Sequence, residues 1–164
     1  MKKSITYLGI LAILLAFSCK SKTTSQISFG GITERDKFGA VIGKPDTTDW
    51  RTDDVWSQQE KDLFTAKFAE NAPRTDTMQI MFYTNPCHGK SVIYLQKKPN
   101  TKLSLRIVDR DYNVLMSMDD LKDMSSQINL SAIGVNDTVR MYYKFIDSKN
   151  NEFKGHGDIV LRLK

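Results

Sequence analysis

Val139-Arg140-Met141-Tyr142-Tyr143-Lys144-Phe145 decides the fold. Val139, Met141, Tyr143 and Phe145 alternate with Arg140, Tyr142 and Lys144, the period of two that a β-strand imposes on its side chains. One set is apolar and the other mixed, so the stretch reads as a strand with one buried face. Downstream, Ser148-Lys149-Asn150-Asn151 supplies turn residues. Ile159, Leu161 and Leu163 then face one way, while Val160, Arg162 and Lys164 face the other. Upstream, Leu103, Leu105 and Ile107 alternate with Ser104, Arg106 and Val108, and Ile80 and Phe82 with Met81 and Tyr83. Residues 91–95 and 127–130 repeat the theme, and Asn85-Pro86-Cys87-His88-Gly89 and Asp109-Arg110-Asp111 read as turns. Val114-Leu115-Met116 makes a short strand, and residues 119–125 form a polar excursion with room for one helical turn.

Six or seven such strands predict that residues 76–164 form an antiparallel, immunoglobulin-like β-sandwich with one wet sheet face. The Cys-Trp-Cys spacing of a true immunoglobulin domain is absent. Composition agrees with a single folded domain. The chain has 164 residues, 40% hydrophobic and 26% charged, with 24 Lys+Arg against 19 Asp+Glu. Those values exclude two large domains and a wholly disordered chain. Two cysteines exclude a disulfide-dense mini-protein.

Residues 29–75 read as an irregular segment that carries one helix. Gly30, Gly31, Gly39 and Gly43 punctuate it, with a short strand near residues 38–42. The glycines lack both the Walker and the G-x-G-x-x-G spacing, so they are turn residues and not a phosphate loop. Asp46, Asp49, Asp53 and Asp54 crowd around Trp50 and Trp56, without the EF-hand order that calcium would need. The tryptophans are expected to dock this segment onto the body; an exposed aromatic platform for sugar is the alternative. Ser57-Gln58-Gln59-Glu60 is a capping box that predicts a helix over residues 58–69, its apolar face made by Leu63, Phe64 and Phe68. Pro73 lies beyond it as a stop.

The N-terminus places the chain. Lys2 and Lys3 precede thirteen mostly apolar residues, and Ser18-Cys19 follows, the pattern of a signal peptide too short to span a bilayer comfortably. Leu15-Ala16-Phe17-Ser18-Cys19 resembles the lipobox of bacterial lipoproteins. The resemblance implies a signal peptide over residues 1–18, cleavage between Ser18 and Cys19, and a Cys19 that carries acyl chains such as palmitate. Residues 19–28 are then lipidated Cys and flexible tether. Losing Lys2 and Lys3 takes two positive charges from +5 and leaves +3. With no basic stripe and an export signal, nucleic acid is not an expected partner. Tyr83-Thr84-Asn85-Pro86, Leu105-Arg106-Ile107-Val108-Asp109 and Asn129-Leu130-Ser131 are similar to motifs of the type IX secretion sorting domains of Bacteroidota. That likeness implies a β-sandwich in a Bacteroidota cell-envelope protein.

Candidate chemistry is sparse. Cys87-His88 is the one tempting nucleophile and base, but neighbours in extended chain point apart, and His156 would have to approach from another strand. Cys87 is expected to be buried and inert. Cys87, His88, His156 and Asp158 contain zinc-ligand types without a known spacing. The simpler expectation is that Gly155-His156-Gly157-Asp158 forms a β-bulge whose glycines admit a neighbouring backbone, with Asp158 bonding a backbone N–H. Tyr94, Tyr142 and Tyr143 need no role beyond strand formation. No catalytic residue, metal or cofactor is expected. The sequence points to a non-enzymatic accessory or scaffolding module, lipid-anchored to the outer membrane on its periplasmic face, with an envelope protein as partner. A carbohydrate- or peptide-binding surface lipoprotein is one alternative, and a sorting-like domain of type IX secretion is another.

Overall fold

The computed structural model describes residues 25–53, 55–65, 78–146 and 152–163. The chain runs β1 (Glu34–Arg35), β2 (Val41–Ile42), β3 (Arg51–Thr52), α1 (Gln58–Lys61), β4 (Gln79–Tyr83), β5 (Lys90–Gln96), β6 (Lys102–Val108), β7 (Val114–Leu121), β8 (Ser125–Asn129), β9 (Thr138–Ile146) and β10 (Glu152–Val160). The signal peptide, Ser18, Cys19, residues 66–69 of the expected helix, Pro73 and the Ser148-Lys149-Asn150-Asn151 turn lie outside the described residues.

Two antiparallel sheets form the body, with strand orders β3-β10-β9-β6-β7 and β4-β5-β8. In immunoglobulin lettering, β4, β5 and β8 take the places of A, B and E, facing G, F, C and C′. The expected immunoglobulin-like sandwich is therefore the observed one, with seven strands from β4 to β10. Its core is the apolar half of each alternation. Ile80, Phe82, Ile93 and Leu95 meet Leu105, Ile107, Met141, Tyr143, Phe145 and Ile159, all buried. After β4 the chain crosses between sheets, and Cys87 pairs in parallel with Leu161 beyond the end of β10. Cys87 N donates to Val160 O, and Arg162 N donates to Cys87 O, both at 2.8 Å.

Several local expectations are corrected. β7 continues to Leu121 where a polar excursion was expected. Its acidic residues answer basic ones on β6: Asp119 binds Arg106 and Asp120 binds Lys102, so cross-strand pairing holds the segment extended. The helix is a single turn. Its capping box is present, with Glu60 N donating to Ser57 Oγ and Ser57 N to Glu60 Oε2. It ends at Asp62 because Leu63 and Phe64 turn back through i→i−3 bonds, while Leu63 O is claimed by Arg106 Nε at 3.1 Å. β10 contains no bulge; its register against β9 is unbroken from Glu152 to Val160. The last residues of the expected tether are docked, since Ile27 is buried and its N–H donates to Arg110 O.

The largest correction concerns the wet face. The three-stranded sheet keeps the expected alternation, and β7 stays largely exposed, but the outer side of β6, β9 and β10 is covered by an N-terminal arm drawn from residues 27–53 and 55–64. Ile27, Trp56 and Phe64 pack there on Val108 and Tyr142 in a second apolar cluster.

Candidate functional site

The arm is seated by residues at three heights along β10. Asp49 is buried, and its carboxylate accepts from Thr33 N at 2.8 Å and from Asp158 N at 2.7 Å. It therefore ties the arm to itself and to the strand. Burial pushes its carboxyl up to about 6 against the pull of those two N–H donors. Asp53 accepts from Trp56 Nε1 at 2.8 Å and meets His156 Nδ1 at 2.8 Å. Asn85, fully buried, donates to Thr33 O and Asp158 O and accepts from Val160 N. One amide thus joins the arm, the sheet crossing and the last strand.

Beneath the arm the sheet presents a polar network. Arg140 forks onto Asp158 at 2.6 and 2.8 Å, and Arg106 onto Asp119 at 2.9 and 3.0 Å. The Arg106 hydrogen bonds hold the Asp119 carboxyl below the usual carboxylate range. Tyr142 donates to Glu60 Oε1 at 2.9 Å, and its burial pushes the phenol well above its ordinary value. Burial lowers the Lys144 ammonium, which lies 5.5 Å from the Phe64 ring centre and 3.9 Å from Glu152.

The residues singled out from sequence are dispersed by this arrangement. Cys87 is a free, fully buried thiol in the core between the sheets. His88 is exposed and bonds Arg162 O through Nδ1. His156 faces the arm on the other side of the sheet, so it does not approach Cys87. His156 and Asp158 share that face as expected, but one is paired with Asp53 and the other with Arg140. The carboxylate of Asp158 thus serves a guanidinium and not the backbone N–H expected for it. Among the described residues, no three His, Cys, Asp or Glu side chains converge on one point. Trp50, Trp56, Tyr142 and Tyr143 are buried, so they form no platform for sugar. The docking of the tryptophans holds.

One place on the body is concave and mixed in chemistry. Where β3 and β4 leave the edge of the sandwich open, a cavity of about 450 Å³ falls in the roughly 300–1,000 Å³ range of small-molecule sites. Trp50 forms one wall. Its ring stacks at 5.6 Å on Phe82 and at 6.4 Å on Tyr143. Gly157 makes that possible, because a Cβ there would run into the indole. Trp50 also holds φ at 60°, a left-handed backbone unusual for a bulky residue. Arg35 lines it too. Its N–H and C=O pair with Asn85, and its Nη1 donates to Gly39 O. Met78, Ile80, Met81 and Phe153 supply the apolar lining. A second cleft, of about 530 Å³, lies at the far tip among Lys97, Lys98, Lys102 and Lys122. There Lys97 is bound to Thr101 O and Lys102 to Asp120.

Arg35 was not singled out from sequence, Asp49 was read only as one of four clustered aspartates, and Asn85 only as a turn and motif residue. The arm lacks periodicity, and four nearby aspartates look alike until one of them is buried.

No protein-family model and no curated protein matches the sequence. Among solved structures, the chain is similar to a DUF3244 family protein with an immunoglobulin-like β-sandwich fold from Bacteroides vulgatus. That likeness spans 57% of this chain and 89% of that one, at 10% identity and a TM-score of 0.33.

Proposed function

We propose that the protein is a lipid-anchored cell-envelope module. Its β-sandwich serves a non-enzymatic accessory or scaffolding role, held by acylated Cys19 at the periplasmic face of the outer membrane. The observation that carries the reading is the N-terminal sequence itself, a basic start, a short apolar run and Ser18-Cys19. The docking of Ile27 adds a geometric consequence. Only residues 20–26 separate Cys19 from the folded body, and seven residues span at most about 25 Å. A body on so short a leash stays close to the bilayer, which raises its effective concentration toward membrane partners. The dispersal of Cys87, His88 and His156 supports a role without covalent catalysis. In the bacterial lipoproteins that the N-terminus resembles, surface export goes with acidic residues after the lipidated Cys, and the basic Lys20-Ser21-Lys22 departs from that pattern, which favours retention on the periplasmic side.

Membrane fractionation of cells expressing wild type and Cys19→Ala tests the reading. Wild type is expected in the membrane pellet and the variant in the soluble fraction. If both are soluble, the anchor is refuted. Added protease is expected to spare the wild type in intact cells. Digestion there would move the protein to the cell surface and favour the ligand-binding alternative over the scaffold.

A further inference from the structure

We infer that the β1–β2 hairpin is a second membrane contact, which lays Phe38, Val41 and Ile42 into the interface of the bilayer that holds acylated Cys19. The inference rests on that anchor and adds an orientation that the anchor alone leaves free.

The arm does not lie wholly on the sheet. Lys37-Phe38-Gly39-Ala40-Val41-Ile42-Gly43-Lys44 stands out from it as a hairpin. Phe38 is 80% exposed, and Val41 and Ile42 are 41% and 49% exposed. A projecting turn that gathers an aromatic and two β-branched side chains marks a surface that something covers. Between the two lysines the run carries no polar or charged side chain. An apolar tip bracketed by lysines matches a bilayer interface, which is apolar beneath the headgroups and anionic at them. The acidic neighbours do not oppose this. Asp36 turns its Oδ1 into the hairpin, where it accepts from Phe38 N at 2.8 Å and Ala40 N at 2.9 Å. Glu34 stands at the base, paired with Ile42.

Insertion also asks for a backbone that carries its own hydrogen bonds, since lipid supplies none. The turn meets that demand. Besides the two bonds to Asp36 Oδ1, Gly39 N donates to Asp36 O, Asp36 N to Ala40 O, and Arg35 Nη1 to Gly39 O. The tip is therefore shaped before it meets lipid, which lowers the cost of binding.

Placement supplies the remaining argument. Ile27, where the tether meets the body, donates to Arg110 O, just past the end of β6 at Val108. The hairpin is tied down through Arg35 and Asn85, and Asn85 accepts from Val160 N at the end of β10. Val108 pairs with Arg140 on β9 and Val160 pairs with Thr138, so both mark one end of the sandwich. Tether exit and hairpin thus share that end, while the cleft of Lys97, Lys98, Lys102 and Lys122 occupies the other. The short leash of residues 20–26 holds the hairpin end toward the bilayer.

The test uses the lipidated full chain reconstituted into vesicles of phosphatidylcholine and phosphatidylglycerol in equal parts. Phe38→Trp adds an indole at an exposed position, against a background of buried Trp50 and Trp56. Met124→Trp adds one at the opposite tip, where Met124 is 50% exposed. Flotation of the vesicles reads the anchor, and quenching by phosphatidylcholine brominated on its acyl chains reads the hairpin. The emission added by Phe38→Trp is expected to fall about twofold with brominated lipid, as suits a side chain seated about 5–10 Å into the headgroup and acyl boundary. The emission added by Met124→Trp is expected to stay unchanged. Flotation without quenching of Phe38→Trp overturns the hairpin contact, leaves the anchor standing, and would turn the exposed tip toward a protein partner. Equal quenching of the two variants overturns it as well, because the body would then have no fixed orientation. Chains that do not float refute the anchor and the inference together.

Discussion

The two faces of the five-stranded sheet are made by the same strands and are held by different physics. On the inner face Leu105, Ile107, Met141, Tyr143, Phe145 and Ile159 are fully buried and meet the opposing sheet through apolar contact alone. On the outer face Arg106, Arg140, Tyr142, Lys144, His156 and Asp158 stand in the alternate positions. Tyr142 and Lys144 are as buried as the core, at 0% and 1% exposed. The outer face tolerates this because its charges find partners and the arm keeps water away. Inner contacts are non-directional and contribute bulk stability. Outer contacts are directional, contribute less net energy, and fix where the arm sits.

The comparison breaks first on the inner face. Phe145→Ala removes a ring that packs edge-on against both Tyr143 and Phe153, at 6.2 and 5.5 Å. Such a truncation in a closed core costs about 3–5 kcal/mol. Urea denaturation is expected to show the loss as a single transition at lower urea, because the whole sandwich shares this core. A loss under about 1 kcal/mol, far below the usual cost of emptying a core, would mean that the two sheets are not packed as described.

A charged pair on the outer face gives the next largest effect. Arg140→Ala leaves the Asp158 carboxylate, 4% exposed, without its guanidinium. Removing one member of a buried pair costs about 3 kcal/mol, whereas replacing both with apolar residues of similar size is often near neutral. The double variant Arg140→Met with Asp158→Leu is therefore expected to recover most of what Arg140→Ala loses. If the double variant is as unstable as the single one, the pair contributes net energy of its own and the contrast between the faces is smaller than drawn.

The same contrast explains what the sequence disclosed. The inner face was legible because alternation is local: Leu103-Ser104-Leu105-Arg106-Ile107 declares its own period. The capping box at Ser57 and the docking of two tryptophans were legible for the same reason. The covered outer face was not. Its polar residues have the pattern of a solvated surface, and what buries them comes from far along the chain. Asp53 meets His156 across 103 positions and Glu60 meets Tyr142 across 82. Asp119 and Asp120 misled for a related reason. Acidic neighbours resemble a loop until Arg106 and Lys102 are seen beside them. The cavity was hidden further still, since its walls come from the arm, β4 and β10.

The finest test falls at the joint between the faces, on Asp49. Its carboxyl is raised by burial from an unfolded value near 3.8 to about 6. The folded protein therefore holds that proton more tightly than the unfolded chain does. The resulting contribution to stability is fully present below pH 3.8 and is lost as pH rises through about 6. A tenfold difference in proton affinity is worth about 1.4 kcal/mol, so the change across that window is on the order of 2 to 3 kcal/mol. Asp109 and Asp119 are held below the ordinary carboxylate value, so their own loss of stability falls at lower pH and does not mask the slope. Asp49→Asn cannot titrate there, and its amide has one good acceptor for two N–H donors. Chemical denaturation of both proteins from about pH 4 to about pH 7.5 brackets the titration. Wild type is expected to show its largest advantage at the acidic end. That advantage should shrink steadily toward neutrality. Parallel curves would mean that Asp49 meets water in the folded state, and that the arm lies open where the sheet is described as covered.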